Sequence, residues 1–402
     1  MKILVLSQYY YPEKFLINDI VLNLSKFNSV TVLTGKPNYP SGVLYPGYKI
    51  FGIDIEVKGT SKVIRVPIIP RNKGFLSLLL NYISFILSTF FLMPFLVKRK
   101  EFDVILCYGL SPSFQSLGLV ILNFFYKKPL VTWVQDLWPN SFIHATKINN
   151  TFLNFLMNCL NVFIYSHNSL ILLQSRQFSE SIKKFAPQIP QYYLPNPAPD
   201  DLTKYSSQDS LVKKSNGKFQ VVFAGNLGHV QGLDVLLDAA SLLNKVHSNI
   251  EFHIYGNGSY EKAFKEKIRK LNLSNIFIFG QLSLVEIRQK MLCADALMLS
   301  LINDSEINLT IPTKLQAYLS MGKPVIGVVS GEAQRIILEA KCGIIVEPGN
   351  SIQLCAALLE FSNTSRNQLE IMGNAALSYY TENFSMNKII SQLDYCLKSV
   401  LR

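Results

Sequence analysis

The sequence is poor in acid: 27 Asp and Glu stand against 39 Lys and Arg, a net charge of +12. It has no C-x-x-C pair. Its six cysteines, at 107, 159, 293, 342, 355 and 396, are scattered and mostly sit inside apolar runs, where a thiol packs as a small hydrophobe. A reduced, cytosolic chain without a disulfide framework is expected. No H-x-x-x-H or D-x-D spacing occurs among its histidines and carboxylates, so no metal and no cofactor is expected. No G-x-G-x-x-G follows the first apolar run KILVLS, where QYYYPE stands instead, which disfavours a nicotinamide dehydrogenase. Low-complexity tracts are missing, and 49% hydrophobic residues exclude a disordered chain. The opening MKILVLSQYYYPE is too short in its apolar part for a signal peptide, so Met1 is expected to start the first strand.

Charge is also missing over a long interval. From Gly74 to Val97 no residue is charged, while Arg71 and Lys73 precede the run and Lys98, Arg99 and Lys100 follow it. Its length would permit a membrane span. The flanking apolar runs at 62–69 and 103–108 nevertheless read as strands of one sheet, which a span would place on opposite sides of a bilayer. Asn81 and Pro94 fit a long surface helix. The expectation is a membrane-facing interfacial helix over 74–97, with an oversized core helix as the alternative. Residues 1–200 hold 19 basic and 9 acidic residues, so the first half carries most of the surplus and should face something anionic. Nucleic acid is not expected, because no basic run is interleaved with base-stacking aromatics.

What is present is alternation. KILVLS, VTVLTG, FDVILCY, PLVTWV and SLILLQ are separated by helical patterns, and after 217 a second series runs FQVVFAG, IEFHIYG, NIFIFG, ALMLSL, KPVIGVV and CGIIVEP. Alternating strands and helices imply parallel sheets covered on both faces. Between the two series, residues 194–217 are rich in Pro, Asp, Ser and Asn, as a connection is. The expected organisation is an α/β domain over 1–195, a linker over 196–217, a second α/β domain over 218–384, and an amphipathic C-terminal helix over 385–402. In open parallel sheets, ligands bind beyond the carboxyl ends of the strands, where helix N-termini offer free amides to anions.

The loops after those strands carry a resemblance. YYYPEKFLIND followed by TGKPNYPSG, then VQDLWPNS, AGNLGHVQGLD, YGNGS with FGQLS, and IPTKLQAYLSMGKPVIG followed by GEAQRII resemble, in this order and spacing, glycosyltransferase family 4. The likeness is strongest to the bacterial O-antigen and capsule transferases of the N-acetyl-L-fucosamine type. It covers nearly the whole length. It implies a GT-B fold of two doubly wound Rossmann-like domains facing across a cleft, an acceptor-binding N-terminal domain, a donor-binding C-terminal domain, and a last helix returning to the first domain. It also implies a nucleotide-diphosphate sugar as donor, independence of a bound metal, and a polyprenyl-diphosphate-linked glycan as acceptor, at the cytoplasmic side of an anionic membrane.

Two departures stand out. Most family members carry two glutamates eight positions apart, the second five before the glycine matching Gly322; here those positions are Ala317 and Leu309. In GNLGHVQG, where the wider family tends to have Arg and Lys for the donor diphosphate, this chain has Asn226 and Gln231. A non-catalytic GT-B partner protein and a nucleotide-sugar epimerase are the alternatives these departures leave.

The residues themselves supply roles. A helix starting near Pro312 leaves the amides of Thr313, Lys314 and Leu315 unpaired and attracts an anion. Lys314, with the Gly225 to Gly228 loop, is expected to hold the diphosphate as it leaves; a solvated first-turn lysine is the plain alternative. Glu332 can bind donor hydroxyls, or simply favour its helix start. Asp136 can orient or deprotonate an acceptor hydroxyl, or cap a helix. Trp138 can stack on sugar or cover core, and Ser111 and Tyr10 complete the acceptor-side candidates. Asn18 and Asp19 occupy the place of the family's paired glycines near the donor phosphate. Gly256 and Gly258 belong to the turn after IEFHIY, and Gly280 and Gln281 sit where similar enzymes meet the base.

Overall fold

The computed structural model describes residues 1–72, 74–109, 111–138, 150–199, 217–246 and 249–401. Two compact units divide it: Met1–Pro195 together with Ile389–Arg402, and Asn196–Lys388. Most of the expected linker, 200–216, lies outside the described residues.

The first unit contains β1 (Lys2–Leu6), α1 (Ile17–Leu24), β2 (Ser29–Gly35), β3 (Asp54–Lys58), β4 (Ser61–Val66), α2 (Phe75–Leu96), β5 (Val104–Gly109), α3 (Leu117–Tyr126), β6 (Leu130–Val134), α4 (Thr151–Ser166), β7 (Leu170–Leu173), α5 (Phe178–Phe185) and β8 (Gln191–Tyr193). They build an eight-stranded sheet in the order β3-β4-β2-β1-β5-β6-β7-β8. All its pairs are parallel except the β3–β4 hairpin. The central strands are apolar on both faces: Leu4, Val5, Val32, Leu33, Ile105 and Leu106 are fully buried, as strands covered by helices on both sides must be. Chain order reverses between β1 and β5, the position where such sheets open a crevice. Here it is filled: Gln8 Nε2 donates to Asn81 Oδ1 at 2.7 Å, and the remaining void is about 10 Å³.

Helix α2 is apolar on more than one face. Ser77, Asn81, Ser84 and Ser88 lie on one face at helical spacing, and all four bond to the chain over 67–72. Ser77 Oγ accepts from Asn72 N–H at 2.8 Å, and Asn81 Nδ2 donates to Ile69 O at 2.6 Å. Ser84 Oγ accepts from Ile69 N–H at 2.9 Å, and Ser88 Oγ donates to Pro67 O at 2.6 Å. A neighbouring stripe, Leu76, Leu80, Ile83, Leu87, Phe91 and Phe95, is exposed, across the helix from the buried Asn81, Phe85, Thr89 and Met93. Polar groups thus help the buried Phe85 and Met93 hold the helix to the protein, while a second apolar stripe faces out, where a soluble surface helix would be polar. Because α2 joins β4 and β5, strands of one sheet, its two ends return to the same layer. Phe85, by contrast, is buried and belongs to the core.

The second unit contains β9 (Phe219–Ala224), α6 (Asp234–Lys245), β10 (Ile250–Tyr255), α7 (Glu261–Lys270), β11 (Ile276–Gly280), α8 (Leu284–Cys293), β12 (Ala296–Ser300), α9 (Thr313–Ser320), β13 (Val325–Val328), α10 (Gly331–Glu339), β14 (Gly343–Val346), α11 (Ser351–Asn363) and α12 (Arg366–Asn383). Its six strands are all parallel, in the order β11-β10-β9-β12-β13-β14. Phe223, Phe252, Leu236, Leu243, Met298 and Leu358 lie in one continuous core. The last helix, α13 (Met386–Ser399), ends in the first unit, where Asn28 Nδ2 donates to Asp394 at 2.8 Å.

Candidate functional site

In the second sheet the order reverses between β9 and β12, and the carboxyl ends of β9, β10 and β11 are laced together there. Gly225 N–H donates to Tyr255 O at 2.9 Å, Leu227 N–H to Asn257 O at 2.8 Å, and Gly256 N–H to Gly280 O at 2.7 Å. Glycine is required twice. Gly256 has φ +132°, and a Cβ on it would lie 1.9 Å from Gly225 O. Gly225 has φ +143°, and its Cβ would lie 2.2 Å from Lys314 Cε. The lysine therefore crosses directly over the loop that follows β9.

Lys314 is in the first turn of α9 and partly buried. Its Nζ donates to Gln231 Oε1 at 2.5 Å and lies 4.1 Å from the centre of the Phe223 ring. Loss of solvent around the ammonium lowers its pKa from the ordinary lysine value to about 7. Tyr318, one turn on, fixes the helix to the strand: its hydroxyl accepts from Ala224 N–H at 2.9 Å and donates to Ala224 O at 3.1 Å. The Leu315 amide is not free, because it bonds Pro312 O at 2.9 Å. Of the three amides expected to be open at this turn, Thr313 and Lys314 have no bonded partner among the described residues.

A pocket of about 370 Å³ lies against these groups, a size suited to a small-molecule site. Its polar wall includes Gly225, Asn226, Gly256, Gln281, Thr313 and Lys314. Asn257 Nδ2 donates to Gln281 Oε1 at 2.9 Å and orients that side chain. Tyr255, Leu284, Ile287 and Met291 form an apolar wall. Among the described residues, Lys314 is the one formally charged lining residue, and Ala317, where the family resemblance leads one to expect a glutamate, lines the pocket too. Among the described residues, the site thus joins an apolar wall to a polar wall with one cation and no carboxylate.

The other expected donor residues stand as follows. Gln231 binds Lys314; Gly258 abuts Leu227 O and Asn226 Oδ1, Gly280 accepts from Gly256, and Gly228 O accepts from Gln231 N–H. Pro312 precedes α9 in an extended conformation. Glu332 is not brought to the pocket: it is 0% exposed and bound to Arg335 through contacts of 2.8 and 3.1 Å. A carboxylate in the first turn of α10 is satisfied by the arginine one turn on, which corrects its expected role as a donor ligand. Asn18 and Asp19 belong to the first unit. Asn18 Oδ1 accepts from Tyr11 N–H at 2.9 Å and its Nδ2 donates to Glu13 O at 2.7 Å, so its side chain braces its own loop; Asp19 is in the first turn of α1.

In the first unit, Ser111, Asp136 and Trp138 line one cavity of about 1160 Å³ with α2 and α4. Trp138 Nε1 donates to Ser111 Oγ, Trp138 O accepts from Asn161 Nδ2 at 2.6 Å, and the indole meets Phe114 edge-on at 5.4 Å. Asp136 Oδ1 accepts from Leu137 N–H at 3.0 Å. Residues 139–141 of the VQDLWPNS loop lie outside the described residues. Tyr10 is not in this cavity; it is buried, and burial pushes its hydroxyl up to about 12. Pattern reading missed Glu13, a buried carboxylate that accepts from the amides of Tyr10, Asn38 and Tyr39 and so joins the loops after β1 and β2. It also missed Phe223, Tyr255, Asn257 and Tyr318, whose site roles come from contacts distant in sequence. Among the described residues, no group of three His, Cys, Asp or Glu could hold a metal.

The family described as "Glycosyl transferases group 1" matches residues 207–378. The chain carries a group 1 glycosyltransferase domain. It is an enzyme of the glycosyltransferase class. It is similar to the probable glycosyltransferase WbjE of Pseudomonas aeruginosa, with 22% identity over 317 residues and 76% of each chain covered. Among solved structures, it is similar to sucrose-phosphate synthase from Thermosynechococcus elongatus, at a TM-score of 0.73 and 13% identity, over 99% of this chain and 98% of that one. Anabaena HepE in complex with UDP-glucose matches at 0.66 and 16% identity, over 99% and 100%. These likenesses show the GT-B fold.

Proposed function

We propose that this glycosyltransferase moves a sugar, with retention, from a nucleotide-diphosphate sugar to a polyprenyl-diphosphate-linked glycan in O-antigen, capsule or exopolysaccharide synthesis. The donor is a UDP-linked N-acetylated or deoxy sugar. The enzyme works from the cytoplasmic face of an anionic membrane, as a peripheral protein, without a metal or cofactor. The observation that carries the donor reading is Lys314: an ammonium over a glycine loop, in a pocket with no carboxylate among the described residues. A charge so placed favours a compact dianion. The binding of UDP-glucose by HepE supports a nucleotide sugar as its form.

In the reaction, the bond from the sugar's anomeric carbon to the diphosphate oxygen breaks and a bond to an acceptor hydroxyl forms. Negative charge grows on the departing oxygen. Lys314 and the open amides of Thr313 and Lys314 stabilise it there. The acceptor proton passes to the departing phosphate or to Asp136, which is the candidate base on the acceptor side. Gln231 and Asn226 stand where the family resemblance implies cations, so among the described residues Lys314 carries the electrostatic load of the site.

The test is a screen of UDP-sugars by thermal shift with the full chain, followed by sugar transfer to a prenyl-diphosphate glycan. The reading expects a rise in apparent stability with at least one UDP-sugar, and UDP release that depends on acceptor. Conversion of the donor without acceptor would instead indicate an epimerase.

A further inference from the structure

The cavity of about 1160 Å³ in the first unit exceeds the ordinary size of a polar substrate site and is lined overwhelmingly by carbon. Leu79, Ile83 and Ile86 of α2 form one side, and Leu153, Leu156 and Leu160 of α4 the other. Two of these, Ile83 and Leu156, also belong to the exposed apolar set, so the cavity is continuous with the outward stripe of α2 and with Phe152 and Phe155 on α4. Such a void, open on an apolar face, suits a flexible hydrocarbon chain entering from that face.

Among the described residues, its charged lining is one cation, Arg71, and one carboxylate, Asp136. Arg71 lines it with its guanidinium 4.9 Å from the centre of the Tyr39 ring, and no carboxylate pairs with it among the described residues. A guanidinium stacked on an aromatic face keeps its fork of donors available to a phosphate. Ser41, Asn72, Tyr82, Ser111, Asp136 and Trp138 supply the other polar lining among the described residues. An occupant with a long apolar body and an anionic head satisfies both features, whereas a sugar or a peptide would leave the carbon walls unmatched.

We propose that the α2–α4 cavity holds the hydrocarbon chain of an isoprenoid diphosphate, with Arg71 pairing with its head group. The identity of that ligand as the acceptor's anchor rests on the function proposed above; the apolar walls and Arg71 do not. The cavity fixes the acceptor by its lipid, and the bilayer-facing stripe of α2 lets the chain pass from membrane to protein without crossing water.

The test uses the full chain and a diazirine-bearing prenyl diphosphate. Photolabel is expected on α2 and α4, and farnesyl diphosphate should compete at least tenfold better than farnesol or inorganic diphosphate. Arg71→Gln should abolish the preference for farnesyl diphosphate over farnesol. Leu79→Trp and Leu160→Trp, which fill the cavity from opposite walls, should each weaken farnesyl diphosphate at least tenfold while leaving the thermal shift caused by UDP-glucose unchanged. If either variant fails to fold, labelling of the natural chain decides. Labelling elsewhere, unchanged affinity in both filled variants, or equal competition by phosphatidic acid vesicles would overturn the proposal. Labelling of α2 and α4 without any sugar transfer would sustain the cavity and sink the acceptor reading; transfer to a chain-free acceptor with no labelling would do the reverse.

Discussion

Lys314 sets the properties of the donor pocket, and its titration gives a prediction of definite sign. Its pKa in the folded chain is about 7, below the ordinary lysine value of 10.5. Below pH 7 the proton is held in both folded and unfolded chains, and above 10.5 in neither. Between them the unfolded chain holds a proton that the folded chain lacks, so stability rises with pH, by at most about 1.4 kcal/mol per pH unit. Denaturant unfolding of Lys314→Met against the natural chain from pH 7 to 10 should show that rise only in the latter. An anionic donor needs the charged form, so binding above pH 7 should draw in close to one proton. Calorimetry with UDP-glucose at pH 8, in buffers of differing ionisation enthalpy, should register this uptake and find none in Lys314→Met. Gly225→Ala places a methyl into the lysine's stem and should weaken UDP-glucose at least tenfold, measured by the same titration. The lysine's place at a helix start beside a strand was readable from TIPTKLQAYLS. Its cover was not: Phe223 and Gln231 come from over 80 residues away, and a first-turn lysine by itself reads as solvated.

Among the elements, α2 is where composition misleads. Averaged over its length it is apolar enough to cross a membrane, with a mean hydropathy of 1.9 from Leu76 to Leu96. Yet its few polar side chains anchor it, and its ends return to one sheet. Replacing Asn81 by Leu strands Gln8 Nε2 and Ile69 O and should cost about 1–3 kcal/mol in urea unfolding. Phe91, 61% exposed, and Phe95, 84% exposed, can be changed to Glu with little loss of stability. Flotation with anionic vesicles should show these variants released into the soluble fraction. Phe85 is buried and Phe91 exposed on this one helix, and sequence period alone does not say which stripe of an all-apolar helix is inside. The α/β class was legible for the opposite reason: each buried strand is a short β-branched run bounded by turn residues, and that signal repeats along the chain.

At the scale of the whole molecule, charge and apolar surface coincide in sequence. The first 200 residues hold most of the basic surplus and the outward apolar stripe, while the second unit holds the nucleotide-sized pocket. Binding to anionic vesicles should therefore weaken with added salt, through loss of the electrostatic part, and persist in part through α2. Leu309 and Ala317 bring no charge to the donor pocket, and among its described lining residues the electrostatic demand falls on Lys314. That demand makes the central claim exposed to one measurement: the rate of UDP release from a UDP-sugar, with acceptor, by the natural chain and by Lys314→Met at matched folded concentration and pH 7. A fall of about 10²–10³ in kcat, the usual effect of removing one donor aimed at developing charge, is predicted. Turnover by Lys314→Met within threefold of the natural chain would contradict it.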